Sequence, residues 1–139
     1  MTQYRRLATV QDANKQFNYT IRFGSANLQT AGRYCGSELS FYIPELPTSG
    51  INTRHVMIKD CKLTCVGYSC QQEGGVMDVY KNGVVAGQFT VTFNGAMPNT
   101  GIACVEVNFK RGDVVELVLN SGTGPLSCGF NLSFDNADI

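Results

Sequence analysis

The sequence predicts an all-β protein, an antiparallel β-sandwich, on three observations. Apolar and polar side chains alternate with a period of two over most of residues 37–134, and the breaks in that alternation fall on Gly, Pro or Asn-Gly. No stretch keeps apolar residues at helical spacing long enough to hold a helix to a core, and no βαβ unit is present. Fifteen glycines and a high share of Phe and Tyr suit a chain of short strands and tight turns.

Taken in order, residues 1–36 are polar and rich in Gln, Asn, Thr and Ala, with one strand-like run at Tyr19, Thr20, Ile21, Arg22 and Phe23. This segment reads as an N-terminal arm that becomes ordered by lying on a neighbouring surface. Its anchors would be Tyr4, Leu7, Val10, Phe17, Tyr19, Ile21 and Phe23, with Arg5 and Arg6 available to pair with acidic partners. The domain proper then spans residues 37–139.

A first strand carries Leu39, Phe41 and Ile43 and ends at the Pro44 to Pro47 loop. A long strand follows from Val56 and Ile58 into Cys61, Leu63 and Cys65, with a bulge expected near Lys59 and Asp60, where the apolar parity changes. Met77 and Val79 alternate with Asp78 and Tyr80 up to Asn82-Gly83, a strong hairpin signal. Phe89, Val91 and Phe93 lead to a second Asn-Gly at Asn94 and Gly95.

The last third is the most regular. Ala103, Val105, Val107 and Phe109 form one apolar row, Val115, Leu117 and Leu119 a second, and Leu126, Cys128, Phe130, Leu132 and Phe134 a third. The links at 110–113 and 121–125 are short enough for each strand to lie antiparallel beside the one before it. About seven or eight such strands make two facing sheets, and a Greek-key jelly roll is the expected topology. An immunoglobulin-like sandwich is the alternative, weakened by the absence of tryptophan.

Composition narrows function. Charged residues are 16% of the chain and cancel to a formal net charge of zero, so there is no electrostatic pull toward nucleic acid or anionic membrane. Apolar runs fall far short of the ~20 residues of a membrane span, and no apolar stretch of a secretory leader follows Arg5 and Arg6. The six cysteines lack the paired spacing of a zinc site. On one continuous strand Cys61 and Cys65 share a face and Cys70 takes the other. All six are expected as free thiols packed as small core residues, Cys128 fitting that best and Cys35 least.

The signals for chemistry are sparse. His55, the single histidine, stands at a strand entrance with no partner visible in sequence, and a packing role is the stronger reading. Arg111-Gly112-Asp113 spells an integrin-recognition tripeptide, yet a Gly-Asp turn closing a hairpin accounts for it. No pair of acids sits in a pattern that predicts glycoside hydrolysis. The chain is therefore expected to be no enzyme and to need no metal or cofactor. Its outward residues, among them Tyr42, Tyr80, Gln88, Thr90, Asn108, Asn120 and Asn131, are polar but nearly uncharged, which suits a symmetric neighbour or a sugar. Tyr42, Tyr80, Asn108 and Asn131 are the candidate recognition residues. Val84, Val85, Val114 and Val118 add apolar spots on the wrong parity.

The aromatic run Phe41-Tyr42-Ile43-Pro44, then Met77-Asp78-Val79-Tyr80-Lys81-Asn82-Gly83, then Phe109-Lys110-Arg111-Gly112-Asp113-Val114 resemble, in order and spacing, the head domains of bacteriophage fibres and capsid-surface proteins. The resemblance implies a small trimeric jelly roll on a virion, assembled in the host cytoplasm, where cysteines stay reduced. The arm lacks the long shaft of a tail fibre, which favours a capsid decoration (cement) protein. That role has the homotrimer and the major capsid protein as partners. The alternative is a receptor-binding head that recognises a host-surface glycan.

Overall fold

The computed structural model describes residues 18–38, 43–71, 74–92, 99–122 and 127–136. They form nine strands: β1 (Asn18–Ser25), β2 (Gly36–Ser37), β3 (His55–Val56), β4 (Cys61–Cys70), β5 (Gly75–Lys81), β6 (Val84–Val91), β7 (Asn99–Phe109), β8 (Val114–Gly122) and β9 (Cys128–Asn136). One sheet has the order β2-β1-β9-β4-β7 and the other β3-β8-β5-β6, with every pairing antiparallel. The first long strand pairs with the last, β3 with β8, β4 with β7 and β5 with β6. That nesting is the jelly roll.

The apolar rows read from the sequence are the core. Phe130, Leu132 and Phe134 of β9, Val115, Leu117 and Leu119 of β8, and Val105, Val107 and Phe109 of β7 are all buried. Phe89 of β6 meets Phe130 of β9 edge to face across the two layers, and Phe109 meets Phe134 in the same way within the five-stranded sheet, with centroids 5.7 Å apart in both pairs. Asn82-Gly83 closes the β5–β6 hairpin with both residues at positive φ, 54° and 83°, as the tight turn requires. Gly101 meets a different constraint: a Cβ there would stand 2.4 Å from the Tyr68 hydroxyl oxygen.

Four expectations are corrected. The links at 110–113 and 121–125 do not join neighbours, because β7 and β9 lie in one sheet and β8 in the other. A sandwich shows the same alternation whether the next strand lies beside or across, so periodicity alone does not separate the cases. The parity change near Lys59 and Asp60 is no bulge: the chain leaves β3 in one sheet and enters β4 in the other between residues 57 and 60. The irregularity lies between Leu63 and Cys65, in the pairing of β4 with both β7 and β9. It turns Cys65 away from the core, while Cys61 and Cys70 both point in.

The boundary placed after residue 36 is also not found there. β1 sits between β2 and β9, paired residue for residue from Asn18↔Asp135 to Ser25↔Cys128. Ile21, Phe23, Leu28 and Cys35 belong to the core. Ile21 and Phe23 are therefore not free to anchor the chain to another surface. Along the sequence the first strand of the domain reads as an arm because its β9 partner lies more than a hundred positions away. Residues 1–17, with Tyr4, Arg5, Arg6, Leu7, Val10 and Phe17, lie outside the described residues, as do Leu39, Phe41, Tyr42, Phe93, Asn94, Gly95 and Leu126.

Deleting residues 1–36 is expected to abolish cooperative unfolding, because it strips β1 from β9 and opens the core. Phe23→Ala in the full chain is expected to cost about 3–5 kcal/mol in urea denaturation. A loss under about 1 kcal/mol would show that β1 contributes little to the sandwich.

Candidate functional site

Tyr80, Asn108 and Asn131 do not converge. Asn108 and Asn131 lie exposed on the outer face of the five-stranded sheet, whereas Tyr80 lies on the outer face of the other sheet, edge-on to Tyr34 at 6.0 Å. One polar face in sequence is two faces on opposite sides of the sandwich. Asn131 borders a hollow. The hollow measures about 420 Å³ and is lined by Arg22, Gly67, Tyr68, Ser69, Thr100, Gly101, Ile102, Gly129 and Asn131. Gly67 makes the floor open, for a Cβ built there meets nothing within 4 Å. Such a trough offers hydrogen-bonding side chains around an open centre, with Ile102 exposed on its wall.

Titratable groups gather elsewhere, at the edge where the sheets meet. The Tyr19 hydroxyl on β1 is hydrogen-bonded to His55 Nε2 on β3, and His55 Nδ1 stands 3.1 Å from Glu38 Oε1 just past β2. Glu38 reaches this position from a left-handed backbone, φ 50°. With imidazole neutral, Nδ1–H donates to the carboxylate and Nε2 accepts from the phenol, so every group is satisfied. Burial pushes the His55 pKa down against the opposing pull of Glu38. Burial first, and then Glu38, pushes the Tyr19 pKa up. A phenol held neutral is a poor nucleophile, so the Glu38–His55–Tyr19 chain acts as a clasp between sheets. No partner of His55 is visible in the sequence because Tyr19 and Glu38 stand far from it along the chain.

The Asn82-Gly83 hairpin turn and the 110–113 link between β7 and β8 meet at one end of the molecule. Asn82 Nδ2 donates to Asp113 Oδ1 at 3.0 Å, and the Val114 N–H donates to Asn82 Oδ1 at 2.9 Å. The Lys110 N–H donates to Asp113 Oδ2 at 2.8 Å. These bonds, the Lys110 N–H foremost, hold the Asp113 carboxyl below its ordinary range. Asp113 is thus committed to its own turn, and the tripeptide reading of Arg111-Gly112-Asp113 loses the carboxylate it needs. Beside this end, the buried Glu116 carboxylate accepts from Ser49 Oγ and Thr53 Oγ1, both at 2.6 Å, pinning the loop ahead of β3. Arg54 Nε donates to Ser49 Oγ at 3.1 Å, and a smaller cleft of about 220 Å³ opens between Arg54, Asn82, Gly83 and Val114.

The cysteines divide. Cys35, Cys61, Cys70 and Cys128 are buried and carry no disulfide, as expected of small core residues, and Cys35 is fully enclosed. Cys65 is half-buried and Cys104 exposed, so neither is core packing.

Because the folded state lowers the His55 pKa, its contribution to stability is present above about pH 6.5 and lost as pH falls through the folded value. Denaturation midpoints between about pH 8 and 5 should fall in the wild type and fall less in His55→Gln. Equal slopes would mean that His55 does not titrate with unfolding. In comparisons with known proteins, no family model matches the chain and no curated protein matches it. Among solved structures, the Eiger TNF of S. frugiperda is similar, with a TM-score of 0.40 and 12% identity over 88% of this chain and 96% of that one. Likeness at that level says nothing of what this chain binds.

Proposed function

We propose that this chain is a structural surface protein of the capsid-decoration type, a jelly roll that associates as a homotrimer and binds the major capsid protein of a phage virion. The observation that supports it most is a set of exposed valines around the turn end of the four-stranded sheet. Val56, Val84 and Val85 are 55%, 68% and 48% exposed, and Val56 pairs with the half-buried Val114. Apolar side chains gathered beside the Asn82-Gly83 hairpin turn and the 110–113 link are better covered by a second copy than by water. Val118 does not join them, since Tyr34 bridges to it and it is buried under its own chain. The capsid reading draws on the resemblance of those same two turns, which Asn82 and Asp113 tie together. With Tyr19, Ile21 and Phe23 taken up by the fold, attachment to coat protein falls to Tyr4, Arg5, Arg6, Leu7, Val10 and Phe17.

The second reading is a receptor-binding head for a host-surface glycan. It is supported by the trough beside Asn131, whose open floor and amide, hydroxyl and guanidinium rim have the polarity and size of a sugar site.

Sedimentation at micromolar concentration should show a trimer. Val85→Asp should weaken association by on the order of tenfold or more while leaving the far-ultraviolet spectrum unchanged. A monomeric wild type would remove the self-association reading. For the glycan reading, Asn131→Ala should abolish retention on a glycan array, and a wild type that retains no glycan would end it.

A further inference from the structure

The pairing of β4 with β7 sets Cys65 directly opposite Cys104. Leu63 and Val66 are both buried, so the irregularity between Leu63 and Cys65 is what turns Cys65 outward. On β7, Val105 is buried and Cys104 is exposed, so the two thiols share the outer face of the five-stranded sheet. Directly opposed residues of antiparallel strands have Cα atoms about 4.5–5.5 Å apart, inside the ~4.4–6.8 Å that a disulfide spans. β7 is also an edge strand, held in its sheet by β4 alone. A bond from Cys65 to Cys104 would fasten that edge.

We propose that Cys65 and Cys104 form a surface dithiol that a low-molecular-weight disulfide oxidises reversibly to an intrachain bond between β4 and β7. The exposed Cys104 thiol gives its proton to solvent, and its thiolate attacks one sulfur of the small disulfide. One small thiolate leaves and takes up a proton. The Cys65 thiolate, its own proton also lost to solvent, then attacks the Cys104 sulfur of the mixed disulfide and expels the second small thiolate, which is protonated in turn. The protein loses two electrons and two protons, and the small disulfide becomes two thiols. The remaining cysteines take no part. Burial pushes the Cys61 pKa up to about 11, and hydrogen bonding among buried sulfurs raises those of Cys70 and Cys128. The dithiol lies on the sheet opposite the exposed valines, so the proposal does not rest on self-association.

The test treats the folded full-length chain with oxidised glutathione and maps the products by non-reducing peptide mass spectrometry. The wild type should gain one bond, between Cys65 and Cys104, leaving four of its six thiols alkylatable after denaturation. Cys65→Ser should stop at a stable glutathione adduct on Cys104, and Cys104→Ser should stay unmodified. Phenylarsine oxide, which needs two adjacent thiols, should bind the wild type and neither variant. A wild type that keeps the adduct on Cys104, links other cysteines, stays unmodified or fails to take the arsenical would overturn the proposal.

Discussion

Burial of one face of β9 is the constraint on which the rest of the structure depends. β9 lies between β1 and β4, so its register sets the register of the five-stranded sheet on both sides. Phe130, Leu132 and Phe134 all point into the core, and burying them contributes roughly 5–9 kcal/mol. That is comparable to the net stability of a whole domain, about 5–15 kcal/mol. A slip of one residue would turn all three out to water, so only one register survives. Rings carried by both sheets then settle against this face: Phe89 on Phe130, and Phe109 and Tyr19 on Phe134.

Polar contacts close what the apolar core leaves open. At the edge, His55 ties β1 and the residue after β2 to β3, across the seam where two sheets would otherwise part. At the turn end, Asn82 and Asp113 join the β5–β6 hairpin to the link between β7 and β8. Glu116 holds the loop before β3 by two hydroxyls. Each of these groups is a side chain with a tempting chemical reading, and each makes hydrogen bonds within the fold.

The chemistry left available lies on the two outer faces, and they differ. The four-stranded sheet offers exposed valines beside its turn end. The five-stranded sheet offers the Asn131 trough and, further along β4 and β7, the paired thiols of Cys65 and Cys104. One irregularity in β4 decides the second of these. Had the strand kept its period through Thr64, Cys65 would lie in the core and Cys104 would face solvent without it.

The sequence by itself determined the all-β class, the apolar rows of β7, β8 and β9 and the hairpin at Asn82-Gly83, because each depends on neighbours within a few residues. Period and turn chemistry are local. The tertiary structure alone decided that β7, β8 and β9 alternate between sheets, that β1 belongs to the domain and not to an arm, and that Tyr19, Glu38 and His55 meet. It also decided that Cys65 faces Cys104, because each of these contacts joins residues separated by tens of positions. Whether such residues touch depends on which sheet each strand enters and on where its parity shifts, and alternation read along one strand carries neither.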